Sequence, residues 1–254
     1  MTDVARGPRD LSVGHVLSLT LGVLKRNFIV FLLLSLVFSG IPTAVYSFFT
    51  LAVAEQPGNP SAAFAAVGGW VMLLAVGPLL QAALIHGTMS DLNGKRANVG
   101  DSLATALRHL LPLIAITILM TLALIVGFLL LIVPGVLMAL AWSVVSPVRV
   151  VERRGVMESF TRSADLTRNR RGAIFGLFVI SWLFSVALGL ITQLFIGGPM
   201  AAVSGGAMLD ALVLSPLTSA ISSMVTGAGV AVIYFELRRI KEGVGVEQLA
   251  SVFD

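Results

Sequence analysis

The chain has 254 residues, of which 57% are hydrophobic and only 12% charged, and its mean hydropathy is +0.96. Such proportions exclude an ordinary water-soluble globule and point to a protein that crosses a bilayer several times. The formal net charge of +4 would suggest nucleic acid in a soluble chain, and the absence of cysteine removes disulfides, thiolate metal sites and a cysteine nucleophile.

All seventeen Lys and Arg residues fall into four clusters, at 6–26, 95–108, 149–171 and 238–241. Each successive pair is separated by enough apolar sequence for two crossings. Cations in short loops stay cytoplasmic, so two crossings between clusters return the chain to the same side each time. Eleven of the thirteen carboxylates share that side, and Glu55 and Asp210 fall on the other. The basic excess therefore reads as an orientation signal that also attracts anionic lipid headgroups, with no nucleic-acid partner expected.

In chain order, the N-terminal 1–27 is expected to be cytoplasmic and to carry an amphipathic helix. Lys25-Arg26, the apolar run from Phe28 and Ala52-Val53-Ala54 imitate a secretory signal. A signal's apolar region is roughly 7 to 15 residues, however, and this one runs to about 24, so it is expected to stay as the first transmembrane helix. Spans are expected at 28–53, 64–88, 110–133, 134–151, 173–196 and 212–235. At about 1.5 Å of rise per residue most are long enough to cross. The third and fourth share one apolar stretch whose turn signal is Val133-Pro134-Gly135, and a tight hairpin is expected there. A single long tilted span is the alternative, and it would put the last two clusters on the opposite side from the first two.

The fold class is thus an all-α integral membrane protein: a single domain over 1–254, with a six-span bundle at 28–235 and a cytoplasmic tail at 236–254. About three interfacial amphipathic helices are expected on the cytoplasmic side, in a weak three-fold internal repeat. Ser12-Val13-Gly14-His15-Val16-Leu17 aligns with Asn98-Val99-Gly100-Asp101-Ser102-Leu103, and Ser102-Leu103-Ala104-Thr105 with Ser159-Phe160-Thr161-Arg162. In the third copy Val156, Phe160, Ala164 and Thr167 follow helical spacing, with Glu158, Arg162, Asp165 and Arg168 on other faces. Glu158 and Arg162 are spaced for an i,i+4 pair. Such a helix can lie in the headgroup layer, apolar side down.

Two groups of residues stand out as candidate sites. Arg149, Glu152, Arg153, Arg154, Arg162 and Arg168 form an inner-face cluster suited to ion pairing and headgroup contact. In the last span Ser215, Ser219, Ser223, Gly227 and Ala231 recur every four residues, a stripe that lets another helix approach closely, within the bundle or in a homo-oligomer. A polar lining for a water-filled path is the competing reading, since Ser222 and Thr226 widen the polar face. The loop before it, with Gly197-Gly198-Pro199 and Ser204-Gly205-Gly206, is expected to be a plain surface loop. No metal-ligand spacing joins His15, His86 and His109, and Gly94-Lys95 lacks the spacing of a phosphate loop. His86, with Gln81 nearby, is expected to make interhelical hydrogen bonds. No charged residue sits near the middle of a span, so the usual sign of an ion-coupled transporter is lacking. No cofactor and no enzymatic activity are expected.

Ile132-Val133-Pro134-Gly135-Val136, then Trp142-Ser143-Val144-Val145-Ser146-Pro147, Val151-Glu152 and Ser159-Phe160-Thr161-Arg162-Ser163-Ala164-Asp165-Leu166-Thr167-Arg168 resemble the membrane domain attached to some glycerophosphoryl diester phosphodiesterases and the stand-alone YciC-like bacterial inner-membrane proteins. The ending Tyr234-Phe235-Glu236-Leu237-Arg238-Arg239 with Glu242-Gly243 is similar to that family's Tyr-x-Asp-Leu-Arg…Glu-Gly tail. The resemblance covers the second half of the chain and, in topology alone, the first. The chain departs from the family pattern at Ala141, where an Arg is frequent, at Asn169, where a Gly is, and at Glu236 and Gly245, where Asp is. The phosphodiesterase chemistry of such proteins belongs to a separate soluble barrel, so the resemblance implies a non-catalytic module of the bacterial inner membrane. Two functions follow as expectations: an accessory module binding lipid or partner proteins, or a transporter or channel for a small or lipid-like solute.

Overall fold

A computed structural model describes residues 10–55, 58–196 and 206–243. The glycine-rich loop at 197–205, Gly245 and the rest of the chain ends lie outside the described residues. Among the described residues the chain is helical without strands, and six helical segments are long and apolar enough to cross a membrane. They cover Phe28–Ala54, Phe64–Leu92, Val99–Leu130, Ile132–Glu152, Arg171–Leu194 and Gly206–Glu242. The last is the central one: 67% of its most apolar window is buried, against 11% for the fifth and 17% for the third.

Helix α1 (Val13–Arg26) precedes the first span and buries Val16, Thr20, Val23 and Leu24, the i, i+4, i+7, i+8 face of an amphipathic helix. It stops at Asn27, which is buried and ties the junction together. Its Nδ2 donates to the Val23 carbonyl (3.1 Å) and to Asp91 Oδ1 (2.7 Å), and its Oδ1 accepts from the Ala97 amide (3.1 Å). The first span is α2 (Phe28–Ser35), a wide π turn (Leu36–Gly40) and α3 (Ile41–Glu55). The last span repeats this device, with α10 (Gly206–Leu209), a π turn (Asp210–Leu214) and α11 (Ser215–Glu242). Each π turn ends two positions before a proline, Pro42 or Pro216. A proline cannot donate to the carbonyl four residues back, and the helix absorbs that loss by widening: Ile41 N–H reaches Leu36 O and Ser215 N–H reaches Asp210 O.

Helices α4 (Pro60–Leu92) and α5 (Val99–Leu130) begin with asparagine caps, Asn59 accepting from the Ser61 amide and Asn98 from the Gly100 amide. Here one expectation is corrected. The second amphipathic stretch, around Ser102, is not a separate interfacial helix but the opening turns of α5, which runs unbroken from its cap at Asn98 and accommodates Pro112 in its interior. The hairpin after α5 also falls earlier than its turn signal. Leu131 takes the extended conformation (φ −163°, ψ 144°), and Pro134 sits in the first turn of α6 (Ile132–Ala141), where its lost N–H costs nothing. Gly135 is needed there: a Cβ on it would lie 2.7 Å from the Phe128 ring.

The fourth span is broken between α6 and α7 (Val145–Glu152), and α8 (Val156–Thr167) repairs the break. Ser163 Oγ donates to the Ala141 carbonyl (2.9 Å) and accepts from the Val144 amide (3.3 Å), while Thr167 Oγ1 lies 3.2 Å from the same carbonyl. The buried face of α8 is consequently Ser159, Phe160, Ser163, Leu166 and Thr167, not one centred on Val156 and Ala164. Helix α9 (Arg171–Ile196) completes the bundle. The contacts of α1, α8, the 93–98 loop and the end of α11 gather at one end, called the basic end below.

Ser163→Ala removes a donor and an acceptor that the interrupted backbone requires, and is expected to cost about 1–2 kcal/mol of stability in lipid. Thr161→Ala, on the exposed side of the same helix, should change it by less than about 0.5 kcal/mol. Thermal unfolding of the two variants side by side checks the difference.

Candidate functional site

Two polar regions are built into the bundle. The first lies at the basic end and centres on Glu152, whose side chain is 9% exposed. It closes α7, just before Arg153 takes a left-handed conformation (φ 53°) and turns the chain toward α8. Glu152 accepts from Arg154 Nε at 2.6 Å, from Arg162 Nε at 3.1 Å and from the Tyr234 hydroxyl at 3.1 Å, with Arg238 Nε 3.9 Å away. Arg162 also pairs with Glu242, and Arg238 holds Glu242 from one turn back at 2.8 Å. Burial works against the charge on Arg162, but the hydrogen bonds and attraction of Glu242 and Glu152 outweigh it and raise the guanidinium's pKa above its ordinary value.

The inner-face cluster and the family-like tail thus meet in one network. Glu152, Arg154 and Arg162 come together with Tyr234, Arg238 and Glu242. Arg149 donates to the Arg154 carbonyl (2.5 Å), and Arg168 is an exposed residue at the end of α8. The i,i+4 spacing of Glu158 and Arg162 is put to other uses: Glu158 caps α8 by accepting from the Gly155 amide (3.2 Å), and Arg162 turns to Glu152 and Glu242. Asn169, where the family pattern has Gly, adopts φ 67°, a conformation asparagine tolerates better than other side chains with a Cβ. Gly243, at φ 63°, ends α11 in the same way. The carboxylate of Glu236 is 2% exposed, 3.0 Å from Arg239 and 3.7 Å from His15 on α1. A further tie, which charge spacing alone does not reveal, is the two-pronged contact of Arg26 with Asp91 (2.5 and 3.1 Å), whose hydrogen bond raises the Arg26 pKa.

The second region is a cleft of about 480 Å³ between the first, second and sixth spans. Ser39 Oγ lies 2.7 Å from Ser219 Oγ and 3.0 Å from Ser223 Oγ, and Thr43 donates to Ser219 (3.0 Å). Gln81 borders the cleft while its side-chain carbonyl accepts from Ser146 (2.9 Å). The small-residue stripe divides here. Gly227 borders the cleft but packs closely on α4, since a Cβ on it would lie 2.5 Å from Leu84 Cδ1, and Ala231 is fully buried. Ser219 and Ser223 bond across to the first span and line the cleft. Ser215 borders an adjoining cavity of about 240 Å³, which shares Ser219 and Ser222 with the cleft and reaches Asp210. His86 Nδ1 is 3.3 Å from Ser102 on α5, an interhelical contact. Among the described residues no group of three or more His, Cys, Asp or Glu could hold a metal ion.

A family model, that of a domain of unknown function (DUF7847), matches residues 112–237. The match is a little under half of the chain and overlaps the half on which the phosphodiesterase-domain resemblance rests. It takes in Glu152, Arg162 and Tyr234, but not the cleft walls contributed by the first two spans. No curated protein and no solved structure matches the chain.

Glu152→Gln leaves three guanidinium groups short of a counter-charge and should destabilise the protein by about 2 kcal/mol, between the values for buried and surface pairs. Arg154→Ala, whose side chain is 46% exposed, should cost less than about 1 kcal/mol. Unfolding in lipid reads both; equal, negligible effects would reduce the cluster to an orientation signal. At the packed part of the stripe, Gly227→Leu should lower stability strongly by forcing α4 and α11 apart, whereas Val225→Leu, on another face, should not.

Proposed function

We propose that this chain is a non-catalytic accessory protein of the bacterial inner membrane that holds a lipid-like molecule in the cleft between its first, second and sixth spans. The observation that carries the reading is the chemistry of that cleft. Its lining contains hydroxyls and one amide, no charged side chain, and apolar walls such as Phe38, Leu73 and Leu80. A pocket with a few neutral polar groups among apolar ones suits an amphiphile better than an ion or a reaction. Below it the same helices close tightly, with Leu84, Ala231, Tyr234 and Leu237 buried.

Sidedness follows from charge: the basic end faces the cytoplasm with both termini, and the cleft opens toward the opposite half of the bilayer. Helices α1 and α8 then lie at the cytoplasmic interface, each ahead of a pair of spans, as the three-fold repeat and the resemblance to the phosphodiesterase membrane domain imply. Exposed cations such as Lys25, Arg153 and Arg168 would meet anionic headgroups there. A partner protein or second copy in the membrane remains compatible with this role.

A second reading, passage of a small solute, is favoured by one feature: the cavity that continues from Ser219 and Ser222 to Asp210. Purification with lipids retained separates the two. The lipid reading expects bound lipid by native mass spectrometry that Ser223→Leu loses; solute passage expects no retained lipid and a flux into proteoliposomes that Ser223→Leu blocks. Sidedness is read from single cysteines in intact cells. Those at Asn59 and Gly206 should label from outside and one at Gly94 should not, and external labelling at Gly94 would overturn the orientation.

A further inference from the structure

The polar atoms of the cleft define what its occupant must offer. Within the chain Thr43, Ser219, Ser39 and Ser223, four hydroxyl protons serve three hydrogen bonds. One proton and several lone pairs are therefore left over, because each hydroxyl supplies one proton and two acceptor sites. Gln81 adds an amide whose carbonyl is already engaged by Ser146. The site therefore presents donors and acceptors together, both neutral. The matching group is a hydroxyl, which also donates and accepts. A phosphate only accepts, and an ammonium only donates.

Charge sharpens the choice. A phosphate brought to this depth without a cation would lose most of its hydration and gain no counter-charge. Arg154, Arg162 and Arg238 are held in the network around Glu152 and Glu242 at the basic end. The charged residue on the adjoining cavity is Asp210, which repels an anion. Gly227 packs against Leu84 at one edge of the cleft, and the neighbouring cavity of about 300 Å³ that shares Thr226 and Val230 with it and runs to α1 is also without a charged side chain. Apolar walls beside the hydroxyls accommodate hydrocarbon.

We infer that the cleft between the first, second and sixth spans selects a neutral, hydroxyl-bearing lipid of the diacylglycerol class over anionic phospholipids. The inference rests on the lipid-binding reading above and adds the class of lipid. It places the hydroxyl of the lipid against Ser39, Ser223 and Gln81 and its chains toward Phe38 and Leu73.

The test uses Gly77→Cys in the full chain, a position that lines the cleft, has room for a side chain and leaves the cleft hydroxyls in place, reconstituted in phosphatidylcholine, with its unfolding temperature compared with the unsubstituted protein. A small water-soluble thiol reagent should modify it. Dioctanoylglycerol added to the bilayer should slow that reaction by about tenfold, the reduction that follows when the open fraction of clefts falls to about a tenth. Dioctanoyl phosphatidylglycerol at the same mole fraction should leave it unchanged. Equal slowing by both, slowing by phosphatidylglycerol alone, or no slowing by either overturns the class of lipid while the reactive cleft stands. A stable Gly77→Cys protein that does not react at all in phosphatidylcholine means that the cleft is closed, and then the lipid-binding reading fails first and this inference with it.

Discussion

Inside a bilayer no water replaces a hydrogen bond that a helix gives up, so every interruption of a span has to be satisfied by the protein itself. Much of this architecture answers that constraint. The break in the fourth span leaves the Ala141 carbonyl and the Val144 amide without helical partners, and α8 supplies Ser163 and Thr167 to them. The junction between α1 and the first span is closed by Asn27, which bonds its own helix, Asp91 and the Ala97 amide at once. At Pro42 and Pro216 the helices widen into π turns. Positions that would be loop or kink in water are here the places where distant elements are tied to one another.

The same constraint sorts charge. The described ion pairs sit at one end of the bundle, and the most heavily used carboxylate, Glu152, joins α7, α8 and α11 through Arg154, Arg162, Tyr234 and Arg238. These groups are only partly exposed, so their mutual attraction is screened less than on an open surface. The network is best understood as a clamp that brings the basic ends of the last helices together. Arg26 with Asp91 does the same for the first two spans.

Clamping one end and packing Gly227 on Leu84 leaves the other half of the bundle to be held by weaker contacts. There α11 meets the first span through serine and threonine hydroxyls instead of interdigitating large side chains. Interhelical hydrogen bonds in membranes average only about 0.6 kcal/mol each. A neutral cleft between such helices is a physical consequence of small polar residues giving way to small apolar ones along a single helix, from Ser219 and Ser223 to Gly227 and Ala231.

Read alone, the chain determined that six segments are long and apolar enough to span a membrane, because burial in hydrocarbon depends on length and hydropathy, which are additive along the sequence. It also singled out Glu152 and Arg162, charges at the edge of an apolar run, and, through a resemblance alone, the tail that holds Tyr234, Arg238 and Glu242. Tertiary structure alone decided how these are joined. Glu152 and Tyr234 are 82 positions apart, and no local period connects them. The rotation of α8 was equally hidden: helical spacing centres its apolar face on Val156, Phe160, Ala164 and Thr167, yet Ser163 is buried beside Thr167 because a broken helix elsewhere in the chain needs both hydroxyls. The stripe on α11 was visible as a spacing of four, but whether each small residue packs or lines a cavity depends on what stands opposite it, Leu84 for Gly227 and Ser39 for Ser219 and Ser223. A residue's own type decides whether it can be buried; its neighbours across space decide what that burial is for.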